Sequence, residues 1–219
     1  MWLTGWSFSL FADGRLTSPT RACDIEVKAY ANNAASPFLF PGPFPPDSLQ
    51  QRVNAMISDR KSDSTIRYIK AVDELTGEQI AFAKWHFYAT PAAAAEASRA
   101  MNLGPGCNKE ACQEFFSGLQ KRKKVIMEGR AHAYLHLLHC DPIHQGRGAG
   151  GLLMQWGAQK ADALGLPTYL ESSPDAHRFY LQHGFKDIEV FSLHLGQFGG
   201  GNISHDTPLM IRETSASSS

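Results

Sequence analysis

The chain has 219 residues, with 21 Lys and Arg against 21 Asp and Glu, and 43% hydrophobic and 19% charged residues. That length can bury a sizeable core in one ordinary domain, and the composition is neither disordered nor fibrous. Zero net charge argues against partners that need a dense basic surface, nucleic acid and anionic lipid above all, yet allows a local anion site of two or three groups. Work on a small molecule is the expectation.

The four cysteines, Cys23, Cys107, Cys112 and Cys140, form no Cys-x-x-Cys pair and read as reduced intracellular thiols. No apolar run approaches the roughly 20 residues that span a bilayer. The start Met1-Trp2-Leu3-Thr4-Gly5-Trp6 lacks the features of a signal peptide. A cytoplasmic protein, monomer or homodimer, is expected.

In chain order, Trp6 to Ala12 alternates like a short strand, and Asp13-Gly14 supplies a turn. Thr20 to Ala35 has weak helical character through Ile25, Val27 and Tyr30, and the proline-rich Ser36 to Pro46 reads as loop or extended chain. Leu49, Val53 and Ile57 are spaced for a helix. Thr65 to Val72 and Gln79 to Tyr88 read as a hairpin across Asp73-Glu74-Leu75-Thr76-Gly77. Thr90 to Cys107 is an irregular or partly helical insertion, and Lys109 to Met127 a long helix whose basic run Lys121 to Lys124 reads as a solvated face.

The second half is clearer. Ala133 to Cys140 predicts a central, buried strand that ends at Asp141-Pro142. The turn Gln145-Gly146-Arg147-Gly148-Ala149-Gly150-Gly151 leads into a helix with Leu152, Leu153, Trp156, Ala163 and Leu164 on one stripe. Thr168 to Glu171 is a short strand, and Ser173-Pro174 opens a second helix that ends at His183-Gly184. Asp187 to Leu195 and Leu209 to Arg212 close the sheet. Residues 1–213 are expected to form one domain, followed by a disordered tail at 214–219.

Strand, glycine-rich turn, helix is an order that makes an anion site. The first amides of a helix lack partners within it, and the helix dipole leaves partial positive charge there. Gly146, Gly148, Gly150 and Gly151 let backbone approach a phosphate closely, and Arg147 adds a cation with a matching fork. A pyrophosphate is the natural guest. Gly146-x-Gly148-x-x-Gly151, with Glu171 at 20 residues beyond Gly151, also satisfies the dinucleotide-binding pattern. Against that reading, five residues separate the strand from the first glycine, and only 68 follow Gly151.

Gln145-x-x-Gly148-x-Gly150 after Asp141-Pro142 resembles the acetyl-CoA signature of the GCN5-related N-acetyltransferases. Ala176-x-x-x-Tyr180-x-x-x-Gly184-Phe185 is similar to the same family's next helix and strand. The two pieces stand in the family's order and cover about residues 132–195, and the run from Tyr134 through Phe185 is most similar to a fungal small-molecule branch. The N-terminal third carries no clear match.

The resemblance implies an α+β fold: a central, mostly antiparallel sheet, splayed between the strands before and after the glycine-rich helix and flanked by helices. It implies that amides of Gly146, Arg147, Gly148, Ala149, Gly150 and Gly151, beside Gln145, hold the pyrophosphate of acetyl-CoA. It places the pantetheine arm along Leu138, His139 and Cys140. Ser173 stands where many relatives have a cofactor-contacting asparagine.

The resemblance further implies Tyr180 as the acid that protonates the leaving thiolate, a role its ordinary pKa of about 10 suits. Strand alternation puts Tyr134, His136, Leu138 and Cys140 on one face, where relatives carry a base, so His136 is the base candidate. Glu171 is a second base candidate, or orients Tyr180 or His136. An amide near Leu138 to Cys140 would donate to the developing oxyanion. The nine histidines show no zinc-like spacing, so no metal is expected.

The acceptor walls are read as Pro37 to Pro46 and Tyr88 to Glu114, where Phe38, Phe40, Phe44, Trp85, Phe87 and Phe115 either suggest an apolar or aromatic amine or are ordinary core. The expected function is acyl transfer from acetyl-CoA to a small-molecule amine. The alternatives are a CoA-binding regulatory module, a non-acyl reaction on the same fold, and a dinucleotide-dependent oxidoreductase.

Overall fold

The structure, a computed structural model, describes residues 8–11, 19–97 and 103–214. The predicted Asp13-Gly14 turn and the tail beyond Thr214 lie outside the described residues. In chain order the elements are β1 (Phe8–Phe11), α1 (Pro19–Tyr30), α2 (Ser36–Leu39), α3 (Ser48–Ser62), β2 (Ile66–Asp73), β3 (Gln79–Tyr88) and α4 (Pro91–Glu96). Then follow α5 (Lys109–Met127), β4 (His132–Cys140), α6 (Ala149–Ala163), β5 (Thr168–Glu171), α7 (His177–Gln182), β6 (Lys186–His194) and β7 (Ser204–Arg212). The chain divides into two compact units, Met1–Ala31 with Asp47–Phe87 and Leu135–Lys160, and Asn32–Pro46 with Tyr88–Tyr134 and Ala161–Ser219.

In the first unit the strand order is β1-β2-β3-β4. The pairs β1/β2 and β2/β3 are antiparallel. The predicted hairpin is present: Gly77 N donates to Asp73 O at 2.8 Å, and the Leu75 amide to the Asp73 carboxylate at 3.0 Å. Its sheet packs on Ala22, Cys23 and Ile25 of α1 and Val53 and Met56 of α3. The predicted stripe of α3 is rotated by a step: Leu49 and Ile57 are exposed, and Met56 is buried instead. Likewise α6 buries Leu153, Met154, Gly157 and Ala161 while Leu164 is exposed. Gly157 is bare because Trp85 fills its space, a Cβ there falling 2.0 Å from the ring.

In the second unit the order is β5-β7-β6, with both pairings antiparallel. The long helix α5 matches its predicted span. Its Asn108 side chain accepts from Ala111 N at the start, and Glu128 ends it in a left-handed conformation. Ala111, Phe115 and Leu119, one turn apart, face Tyr169, Leu193 and Leu209 in the core. Three expectations are corrected here. Ser36–Leu39 is a short helix rather than extended chain. Strand β7 begins at Ser204, since pairing with β6 carries it through Pro208. Helix α7 starts at His177 instead of Ser173-Pro174; the Ser173 hydroxyl accepts from Ala176 N at 3.3 Å, closing a turn before the helix.

Candidate functional site

The turn before α6 is built by its own chemistry. Asp141 closes β4: its amide donates to Ile80 O at 2.9 Å, and its carboxylate accepts from Ile143 N and from Arg21. Burial alone would raise this carboxyl, yet those donors hold it below the usual carboxylate range. A single turn, Pro142–His144, then delivers the chain to exposed Gln145 and Gly146. Gly146 and Gly148 have φ of +73° and +94°, and a Cβ built on either meets nothing within 4 Å. Only the backbone conformation demands glycine there. Ala149 is buried and opens α6, and Gly150 and Gly151 fill its first turn. The amides of that turn have no carbonyl partner inside the helix.

Arg147 has a partner that the sequence did not reveal. Its guanidinium donates to the Asp73 carboxylate at 2.7 Å and meets His144 Nδ1. The hydrogen bond from Arg147 keeps the Asp73 carboxyl below its ordinary range. Arg147, expected as a phosphate cation, is thus also the pin that fastens the turn to the end of β2. The open left-handed glycines and the bare helix start fit a pyrophosphate-bearing group.

Strand β4 supplies the other first-unit candidates. Leu138, His139 and Cys140 are half-buried. The His139 ring stands against Tyr30 and Phe82, centroids 4.8 and 5.5 Å away, and burial lowers its pKa to about 4. Burial likewise pushes the Cys140 thiol up to about 11, which suits a packed residue rather than a nucleophile. His136 Nδ1 lies 3.3 Å from Nε2 of His86, a residue the sequence reading passed over. Trp85, expected as an acceptor wall, is wholly buried against Gly157 and belongs to the core.

In the second unit Glu171, at the end of β5, accepts the Tyr134 hydroxyl at 2.8 Å. Lys123 lies 4.1 Å from the centre of the Tyr134 ring and is buried, which corrects the expectation that its basic run is entirely solvated. Beside them Tyr169 is buried, and burial with the nearby Glu171 charge raises its hydroxyl well above the ordinary range. Tyr180 is buried on α7, its ring edge-on to Phe179 and Phe185. Ser173 has its hydroxyl oxygen committed to the Ala176 amide. Among the described residues no group of three metal-ligating side chains converges, and no helix is long and apolar enough to cross a membrane.

Residues 41–185 match the profile of the Acetyltransferase (GNAT) family. An uncharacterized N-acetyltransferase of Schizosaccharomyces pombe is 31% identical over 95 residues, 43% of this chain and 40% of that protein, so the match spans less than half the length of its curated relative. The C-terminal condensation domain of Ebony, solved with beta-alanyl-dopamine, superposes with a TM-score of 0.71 at 10% identity, covering 96% of this chain and all of that domain. A Corynebacterium glutamicum protein described as histone acetyltransferase HPA2 and related acetyltransferase gives 0.61 at 18% identity over 97% of this chain and 99% of its own. These likenesses bear out the mixed, mostly antiparallel fold, and the family supports acyl transfer. The profile covers most of the chain, turn and β4 included, and the chain belongs to the acetyltransferase (GNAT) family.

Proposed function

We propose that this protein transfers an acetyl or short acyl group from acetyl-CoA directly to the amine of a small molecule. The observation that carries this reading is the turn from Gln145 to Gly151, where two left-handed glycines in open space run into the bare start of α6. When bound, acetyl-CoA supplies an acyl thioester. Amides from Gly146 to Gly151 would hold its pyrophosphate, and the backbone of Leu138, His139 and Cys140 its pantetheine arm.

His136 takes the proton from the acceptor ammonium. Tyr180 gives its hydroxyl proton to the departing sulfur. Glu171 already accepts the Tyr134 hydroxyl, which favours a positioning part for it over that of base. Ser173 accepts from the Ala176 amide, and its one hydroxyl donor is shorter in reach than an asparagine amide, which disfavours its taking the place of the family's asparagine. In the second unit the exposed Phe40 ring lies 6.4 Å, centre to centre, from that of half-buried Phe116, which supports an apolar or aromatic amine as acceptor, whereas Phe115 belongs to the core. Four free thiols suit a reducing compartment such as the cytoplasm.

Titration calorimetry with acetyl-CoA, followed by a thiol-release assay over a panel of amines, tests the reading. Saturable binding and release of free CoA with an arylalkylamine are expected; absence of binding at submillimolar concentration overturns it. Binding with no release across the panel would favour a regulatory CoA-binding module. Tyr180→Phe is expected to lower turnover at least tenfold while leaving acetyl-CoA affinity within about twofold.

A further inference from the structure

His136 does not stand alone. His86 Nε2 lies 3.3 Å from His136 Nδ1, and His86 Nδ1 lies 3.3 Å from Thr65 Oγ1 and 3.5 Å from an Asp63 carboxylate oxygen. The Thr65 hydroxyl donates to the other Asp63 oxygen at 2.6 Å, and the Thr65 amide to the same atom at 2.8 Å. Asp63 follows α3, Thr65 precedes β2, and His86 pairs with Ile66 in the β2/β3 register, so three consecutive elements fix the row. His86 is buried, whereas the Asp63 side chain is 38% exposed.

With both imidazoles neutral, donor and acceptor capacities set the direction of the bonds in the row. An ionised carboxylate only accepts, so Thr65 spends its proton on Asp63 and its oxygen accepts from His86 Nδ1–H. Neutral His86 then has its lone pair on Nε2, which accepts from His136 Nδ1–H. His136 is left with its lone pair on Nε2. We infer that Asp63, Thr65 and His86 are positioning residues that hold His136 in the tautomer a base requires and carry its proton away toward solvent. The inference rests on the base role proposed for His136.

The step balances. His136 Nε2 forms an N–H bond as the acceptor ammonium loses one and regains its lone pair. The Nδ1 proton of His136 passes to His86 Nε2. The Nδ1 proton of His86 passes to the Thr65 oxygen as the Thr65 proton moves to Asp63, which gives it to water. Both histidines finish neutral with their tautomers reversed, and return of the imidazoles to the starting tautomer completes the cycle. The β2/β3 register places Lys84 two residues before His86 on the same face of β3, opposite Tyr68 of β2. Lys84 sits 2.9 Å from the Asp59 carboxylate, so the pair contributes little net charge.

Long-range proton–nitrogen NMR of the unliganded protein labelled with nitrogen-15 histidine tests the row without any acceptor. His86 and His136 are both expected to carry the proton on Nδ1, the reverse of the form that free histidine prefers in water. In Asp63→Asn the His136 pKa should fall, and the acid limb of the pH–rate profile with it, because a carboxylate at the far end of the row favours the imidazolium. Asp63→Glu should restore both. Nε2–H on His136, or an unmoved His136 titration in Asp63→Asn, overturns the relay. The base role is read separately: His136→Ala with undiminished turnover of an amine identified by the panel overturns it, whatever the tautomers. Turnover lowered at least tenfold in both His136→Ala and His86→Gln, at unchanged acetyl-CoA affinity, supports base and relay together.

Discussion

Glycine serves opposite purposes at two places along α6. Before the helix, Gly146 and Gly148 have all the space a side chain could want, and only their backbone conformation excludes one. Within the helix, Gly157 has ordinary helical backbone and no space at all, because the Trp85 indole occupies it. One bareness leaves room for a guest; the other makes room for a neighbour. The histidines of the first-unit part of β4 repeat the contrast. His139 is packed by aromatic rings and held neutral, whereas His136 has its Nδ1 3.3 Å from His86 Nε2, at the head of the proposed relay. Residue type alone does not separate the cases; what surrounds the side chain does.

The sharpest way to break the comparison is to fill the filled glycine. Gly157→Val should cost about 3 kcal/mol, since overpacking against a rigid indole has no flexible neighbour to move. Urea unfolding reads this directly, and an unchanged midpoint would mean that Trp85 swings aside.

The next effect belongs to the two histidines packed against aromatic rings. His132 and His139 have pKa values lowered from 6.5 to about 4 by burial. The unfolded chain therefore binds more protons than the folded one between those values, so stability falls as pH drops through that window. Each site adds a slope of up to about 1.4 kcal/mol per pH unit. Unfolding free energies at pH 7, 5.5 and 4.5 measure it, and His139→Gln should flatten the fall. An equal slope in that variant would show that His139 is not held neutral.

Filling an open glycine should do less to the fold. Gly148→Ala forces a left-handed conformation at about 1–2 kcal/mol, with no packing loss to add. Acetyl-CoA affinity should nevertheless fall about tenfold or more, because the turn is the proposed pyrophosphate cradle. If affinity holds while stability falls, the turn is structural only. The smallest effect concerns the thiols. Burial raises Cys23 and Cys140 to about 11 and Cys112 to about 12, so a disulfide reagent should label these three far more slowly in the native protein than in the unfolded chain.

The legible parts of the sequence were those whose signal is local. The start of α5 could be read because Ala111, Phe115 and Leu119 repeat at one turn, and β5 because a compact apolar run ends at Glu171. The turn at Gly146 could be read because few environments call for so many glycines. Where one local signal served two structures, reading failed: Ser173-Pro174 looks like a helix start, yet the serine closes a turn three residues earlier. The apolar stripes of α3 and α6 were misplaced because a helix face is chosen by what lies opposite. For the same reason Asp73, 74 residues from Arg147, and Lys123 beneath Tyr134 were invisible as site neighbours. The positions of Asp63 and His86 become meaningful only when β2 and β3 are in register.

The bond from Arg147 to Asp73 bears on timing as well as position. Asp73 is held twice at the hairpin, by its backbone bonds to Glu78 and Gly77 of the turn and by the Leu75 amide on its carboxylate. Through Arg147 that rigidity reaches a heptapeptide that, by composition, has more conformations to lose than almost any other stretch of the chain. The loss of those conformations therefore accompanies folding, long before a ligand arrives. Association of the proposed pyrophosphate ligand would then meet a turn already set, with little ordering entropy to oppose it.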